Sequence, residues 1–116
     1  MEGAGVIELP FPPSSLSGHV KGHWRSKAYI TAKHRAWARQ ATLASKARAP
    51  EGNADIKVIV TFYPPDNRGD RVNYPVRMKP YFDGIADALQ VNDKRFLPSF
   101  YFGEQVKGGK VVVVLS

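Results

Sequence analysis

No cysteine occurs among the 116 residues, so the chain can build neither a disulfide framework nor a thiolate zinc site, and any bound metal must take oxygen or imidazole ligands. The redox compartment is left open. Long apolar runs are also missing: the longest, Val111 to Leu115, falls far short of the roughly 18 residues a membrane span requires. Met1 to Pro10 lacks a basic start followed by an apolar stretch, which predicts a soluble, unexported protein with no membrane partner. There is no internal repeat and no low-complexity tract. His19, His23 and His34 sit in no H-E-x-x-H pattern and no serine sits in G-x-S-x-G, so zinc hydrolysis and serine nucleophile chemistry have little support. An R-G-F-x-F type signature is absent as well, which argues against a basic RNA-binding domain.

What is present fits one domain spanning residues 1–116. Hydrophobic residues make up 43% and charged residues 23%, a mixture that folds. Ten glycines and nine prolines mark a turn-rich chain that stays below the composition of disorder. The formal net charge of +7 is unevenly spread. Residues 1–48 hold Lys21, Arg25, Lys27, Lys33, Arg35, Arg39, Lys46 and Arg48 against only Glu2 and Glu8. From Asp66 to Asp93 the acids Asp66, Asp70, Asp83, Asp87 and Asp93 outnumber Arg68, Arg71, Arg77 and Lys79. A basic face attracts polyphosphate, and a carboxylate cluster beside it can hold a hard divalent ion against the same phosphates. That combination suits a nuclease; ordinary solvated charge is the plainer alternative.

Val6 to Leu9 is a short opening strand closed by Pro10, Pro12 and Pro13. Ser14 to Lys27 reads as a basic loop, and Thr31 as the N-cap of a helix running to about Arg48. On that helix Arg35, Arg39 and Lys46 share one stripe, while Ala36, Trp37, Ala41, Leu43 and Ala44 cover the packing side. Ile56 to Tyr63 alternates as a strand and stops at Pro64-Pro65. A polar connection over 66–78 leads into a helix from about Lys79 to Leu89, with Pro80 in its first turn and Phe82, Ile85, Ala86 and Leu89 as its buried stripe. Gly84 inside that helix implies close packing against a strand or a ligand. Phe100 to Val106 and Val111 to Leu115 flank Lys107-Gly108-Gly109-Lys110 and read as a closing β-hairpin.

Chemistry gathers where the second strand ends. Asp70 and Asn73 offer oxygen ligands, and Arg77 and Lys79 offer phosphate-binding cations. Asp93 lies beyond a helix of about 15 Å, so it meets Asp70 only if the chain folds back. Magnesium needs a few carboxylates plus water and phosphate oxygens, which these residue types can supply. An aspartate before a helix is also a common cap or turn residue. Asp83 and Asp87 share one helix face, which takes in Lys79 if the helix reaches back that far.

The order of these motifs resembles the RusA family, small phage and prophage endonucleases that resolve Holliday junctions. Leu9-Pro10-Phe11-Pro12-Pro13-Ser14 resembles its opening strand and turn, and Thr31 to Arg48 its first helix. Pro64-Pro65-Asp66 through Lys79 resembles its P-D-x-R-x-x-D-x-D-N motif with the lysine that follows. Asp83-Gly84-Ile85-Ala86-Asp87-Ala88-Leu89 is similar to its D-G-L helix, Asn92-Asp93 to its later aspartate pair, and Lys107-Gly108-Gly109-Lys110 to its closing turn. The resemblance covers nearly the whole chain. It implies a magnesium-dependent enzyme of recombination and repair, manganese being an alternative ion, that nicks two symmetric strands of a four-way junction as a homodimer in the cytoplasm of a bacterial or phage-infected cell.

Carried over, Asp70, Lys79 and Asp93 match the catalytic positions, and Asp70, Asp93 and Asn73 are candidate metal ligands. Two positions depart: Val72 stands where a second aspartate is expected, and Asn92 at the first member of the later pair. A valine cannot ligate a cation, and Asp83, on the face of Lys79, is the favoured substitute over Asp66 and Asp87. Lys21, His23, Arg25, Lys27, Arg35, Arg39, Lys46, Arg71 and Arg77 are the candidate DNA contacts. The whole reading is an α+β domain, a mixed sheet of about four strands with two helices, forming a two-fold dimer. Its competitor is a DNA-binding protein of the same fold that lost cleavage at Val72.

Overall fold

Alternation of apolar side chains over Ile56–Tyr63 sends Ile56, Val58, Val60 and Phe62 to one side, all of them buried, and this strand becomes one of the two inner strands of the sheet. The computed structural model describes residues 5–16 and 24–116. In chain order its elements are β1 (Gly5–Leu9), α1 (Trp24–Ser45), β2 (Ile56–Tyr63), α2 (Lys79–Leu89), β3 (Phe96–Phe102) and β4 (Lys110–Leu115), with short 3-10 turns at Ser14–Leu16, Arg71–Asn73, Pro75–Met78 and Asp93–Arg95. The sheet order is β1-β4-β2-β3. β2 pairs parallel with β3 and antiparallel with β4, and β4 pairs antiparallel with β1. The result is a single α+β domain with a mixed four-stranded sheet and two helices.

The closing hairpin is not formed. The last two strands lie on either side of β2, with Ile59 facing Ser99 on one side and Val114 on the other. The chain between them crosses the end of β2, where Gly103 N–H donates to Phe62 O at 2.8 Å and Val106 N–H to Pro64 O at 3.0 Å. Gly108 and Gly109 adopt φ of 81° and 69°, as a tight turn requires, yet the turn serves a crossover. Registry explains the difference: the apolar β2 gains a ladder on both edges, and Pro98, which lacks an N–H, sits on an edge strand where that costs least.

Helix α1 begins at Trp24, about two turns before Thr31, so Thr31 is an interior residue and Arg25 and Lys27 belong to the helix rather than to a loop. Its packing line also differs from the expected one. His34, Ala38 and Thr42 are buried, with Trp37 and Ala41 half-buried, whereas Ala36 and Ala44 are exposed and Leu43 is 50% exposed. Small residues recur so often along α1 that alanine spacing alone does not fix a face. The neighbour does: a Cβ at Gly84 of α2 would strike the backbone carbonyl of Arg35 and lie 2.9 Å from Ala38 Cβ. The close partner that Gly84 implies is therefore α1. Thr42 and His34 survive burial because their side chains bond the carbonyls of Ala38 (2.7 Å) and Ile30 (2.8 Å) one turn back. The helix stops at Ser45, and Lys46 follows in the left-handed region with φ 59°.

The core lies between sheet and helices, where Ile7, Leu9, Val111, Val113 and Leu115 join the β2 side chains and meet Met78, Tyr81 and Ile85. The hydroxyl of the buried Tyr81 donates to Pro10 O at 2.6 Å and ties α2 to the first proline turn. Among the described residues no helix is long and apolar enough to cross a membrane.

Candidate functional site

Lys79 opens α2, with Pro80 tolerated in the first turn because its missing N–H has no intrahelical partner there. One turn on, Asp83 Oδ1 accepts from Lys79 Nζ at 2.9 Å. After Leu89 the chain reverses: Gln90 takes φ 58°, its N–H returning to the carbonyls of Ala86 and Asp87. Asn92 then caps the turn Asp93–Arg95 by accepting from Lys94 N–H at 2.9 Å. This reversal carries Asp93 back along α2, where its Oδ2 lies 2.6 Å from the same Lys79 Nζ. The Lys79 ammonium holds the Asp93 carboxyl below the usual aspartate range, and Asp93 first and Asp83 second raise the Lys79 amine.

A cleft of about 230 Å³ beside this trio is lined by Asp83, Asp87, Asn92 and Asp93 from the α2 side and by Arg35 from α1. Arg35 grips Asp87 in bidentate fashion, Nε to Oδ2 at 2.7 Å and Nη2 to Oδ1 at 2.9 Å. Arg35 lowers the Asp87 pKa, with a smaller contribution from Arg39, and Asp87 raises that of Arg35. Nothing in the chain's periodicity announced this pair; the nearest signal was Gly84, which lets the two helices approach.

Asp70 stands elsewhere. It caps the turn Arg71–Asn73, its Oδ1 accepting from Val72 N–H at 3.2 Å, and Asn73 returns its own N–H to Asp70 O. Asp70 lines a cavity of about 560 Å³ with Phe11, Pro13, Asp66, Tyr74 and Arg77, and a second of about 520 Å³ with Asn67, Arg71 and Glu104. The structure thus joins Asp93 and Asp83 through Lys79, and Asp70 lines other cavities. Among the described residues no group of three or more acid or histidine side chains is placed to hold a metal ion. Val72 is 75% exposed.

The expected DNA contacts are spread over the fold, and of the Arg35, Arg39 and Lys46 stripe the first two lie on α1. Lys21 and His23 lie outside the described residues. Arg25, Lys27, Arg35 and Arg39 are all on α1, with Arg35 engaged by Asp87; Lys46 lies past the helix end, and Arg71 is exposed on the Asp70 turn. Arg77 is half-buried, donating from Nη1 to Pro12 O at 3.2 Å with its guanidinium 5.1 Å from the Tyr74 ring centroid.

No family model matches the chain. It is 37% identical over 116 residues, 95% of its own length and 74% of the relative's, to an uncharacterized protein of Xylella fastidiosa strain Temecula1. At that identity and coverage, the chain belongs to the same family as this Xylella protein.

Proposed function

We propose that the domain binds branched DNA and hydrolyses its phosphodiester backbone as an endonuclease of the RusA type, with Asp83 and Asp93 as its working carboxylates. The observation that supports this is the meeting of both on one ammonium, Lys79 Nζ, at 2.9 and 2.6 Å. Two carboxylates turned toward one cation are a donor set that magnesium commonly takes from a protein, water and phosphate oxygens filling the remainder. Asp83 and Asp93 would hold magnesium, or manganese in its place, as two protein ligands with the rest of the shell from water and phosphate. When bound, it would neutralise phosphate charge and acidify a coordinated water. Lys79 is the ammonium nearest these carboxylates and suits a phosphate oxygen carrying developing charge. Arg39 and Arg71 are exposed cations for backbone phosphates, contacts that weaken with salt and carry no base sequence.

A synthetic four-way junction tests the reading. Wild type is expected to nick it in magnesium and not in chelator, and Asp83→Asn and Asp93→Asn to bind without nicking. Equal cutting of linear duplex, or full activity in Asp93→Asn, overturns it. A second reading, junction binding without cleavage, is favoured by the exposed Val72 at an expected ligand position and by the separate cavity of Asp70. It requires wild type to bind the junction tightly and leave it intact.

Paired nicks call for two copies related by a two-fold axis. The sheet face away from the helices suits a second copy: Val6, Val114 and Ile59 run across three strands in register, and Leu97 and Tyr101, at 51% and 56% exposed, extend the patch on β3. Four strands about 4.8 Å apart and about six residues long give roughly 20 by 20 Å, about 800 Å² over both copies, which is below the size of a stable specific interface and implies a weak, transient dimer.

A further inference from the structure

The cavity at Asp70 contains a charge that the fold leaves unanswered. Arg77 lines it, and among the described residues no carboxylate pairs with this guanidinium. Its Nε is buried with no hydrogen-bond partner, while one Nη is spent on the carbonyl of Pro12. Burial lowers the Arg77 pKa, opposed only by Tyr74, so no neighbouring acid compensates the loss of water. A half-buried guanidinium with no carboxylate partner and a buried, unbonded Nε is costly for a small domain to keep, and an anionic ligand is a common reason to keep one.

The two acids of the cavity are already occupied in part. Asp66 Oδ1 accepts from Arg68 N–H at 3.0 Å with Arg68 Nε 3.6 Å from its other oxygen, and Asp70 accepts from Val72 N–H. The rest of the lining includes the rings of Phe11, Pro13, Pro65 and Tyr74 beside the polar Ser14 and Arg68. At about 560 Å³ the space matches a small organic ligand. Proline and aromatic walls beside an arginine suit a base and its phosphate together.

We propose that this cavity takes one unpaired nucleotide of a DNA strand, its phosphate on Arg77 and its base against the wall of Phe11, Pro13 and Pro65. The inference rests on the nucleic-acid reading above but not on cleavage. A splayed strand at a junction supplies such nucleotides, and the cavity would then recognise strand opening away from the Lys79 site.

The test is binding, read by side-chain NMR of the arginine Nε–Hε groups and by calorimetry, with thymidine 5′-monophosphate, thymidine and inorganic phosphate as probes. The monophosphate is expected to shift the Arg77 signal and to bind at least tenfold tighter than either fragment. Arg77→Met is expected to lose that binding at least tenfold with an unchanged or higher melting temperature, because it removes a half-buried charge that no carboxylate pairs and an Nε that no acceptor meets. Arg77→Lys should keep part of the binding, and Arg48→Met, the same charge loss on an exposed residue, should keep all of it. An unshifted Arg77 signal overturns the proposal, as does a fall of several degrees in Arg77→Met with monophosphate binding intact, which would make Arg77 a tether for Pro12. Because no nicking is measured, a protein that binds the nucleotide and never cuts a junction upholds this site while sinking the cleavage reading.

Discussion

The Lys79 ammonium donates to the Asp93 carboxylate at 2.6 Å and so joins the first residue of α2 to the turn beyond its end, fourteen residues on. Asp83 shares the same ammonium. Removing Lys79 would leave two carboxylates facing each other with no cation between them. Lys79→Met should therefore raise the Asp93 pKa out of its depressed range, followed by carboxyl NMR; an unmoved Asp93 would disprove the coupling.

The same bridge sets a pH window. Asp93 has its folded pKa depressed, so its contribution is present above the ordinary aspartate value of about 3.9 and is lost as pH falls through the folded value. Lys79 has its pKa raised, so its contribution is whole below the ordinary lysine value and disappears as pH rises through the folded one. The stability gap between wild type and Lys79→Met should be flat between those limits and close beyond either. Denaturant midpoints across pH measure it, and a gap that keeps growing in acid contradicts the assignment.

Gly84→Ala probes the helix contact that positions the cleft. Alanine adds about 1 kcal/mol of helix propensity. Its Cβ would meet the carbonyl of Arg35 and, at 3.0 Å, the amide of Arg39, backbone groups that cannot rotate aside. Overpacking of this kind costs about 1–3 kcal/mol, so a net loss of stability is expected, together with loosening of the Arg35 and Asp87 pair. A stabilised Gly84→Ala would mean that the helices are not in such close contact.

Much of this was readable from local chemistry. The alternation of Ile56 to Phe62 and the position of Pro80 place β2 and the start of α2 without any tertiary information, and Lys79 with Asp83 follows from one helical turn. Asp93 was a candidate by residue type, but its route back along α2 depends on the left-handed Gln90, which no motif marks. The misplaced closing hairpin and the unforeseen Arg35 and Asp87 pair share a cause. The placement of β3 against β2, and of Arg35 against Asp87, is decided by which surfaces meet across the domain, and an exposed arginine or a phenylalanine-rich strand reads the same whoever its neighbour is. The early start of α1 was hidden because Arg25, Ser26 and Lys27 carry no apolar period.

Asp87 withholds Arg35 from any anion. Asp87→Asn removes a negative charge from the cleft and frees a guanidinium held by two hydrogen bonds, so it should strengthen junction binding several-fold and steepen its salt dependence. Arg35→Met alone should change binding little. Fluorescence anisotropy over a salt series decides; a large loss in Arg35→Met with no gain in Asp87→Asn would show that Arg35 already contacts DNA.

Val72→Asp separates the two functional readings. The side chain is 75% exposed, so the substitution should change stability by no more than about 0.5 kcal/mol. It puts a carboxylate two residues from Asp70, where the resemblance expects one. If Asp83 and Asp93 are the working pair, wild type already nicks the junction and Val72→Asp leaves the rate within a few-fold, because the new acid lies on the Asp70 side. If the chain has lost cleavage through Val72, wild type leaves the junction intact and Val72→Asp restores magnesium-dependent nicks, abolished again by Asp70→Asn. Active wild type with a large gain in Val72→Asp would require Asp70 to join the Asp83 and Asp93 site in the DNA complex, an arrangement different from the one in this structure.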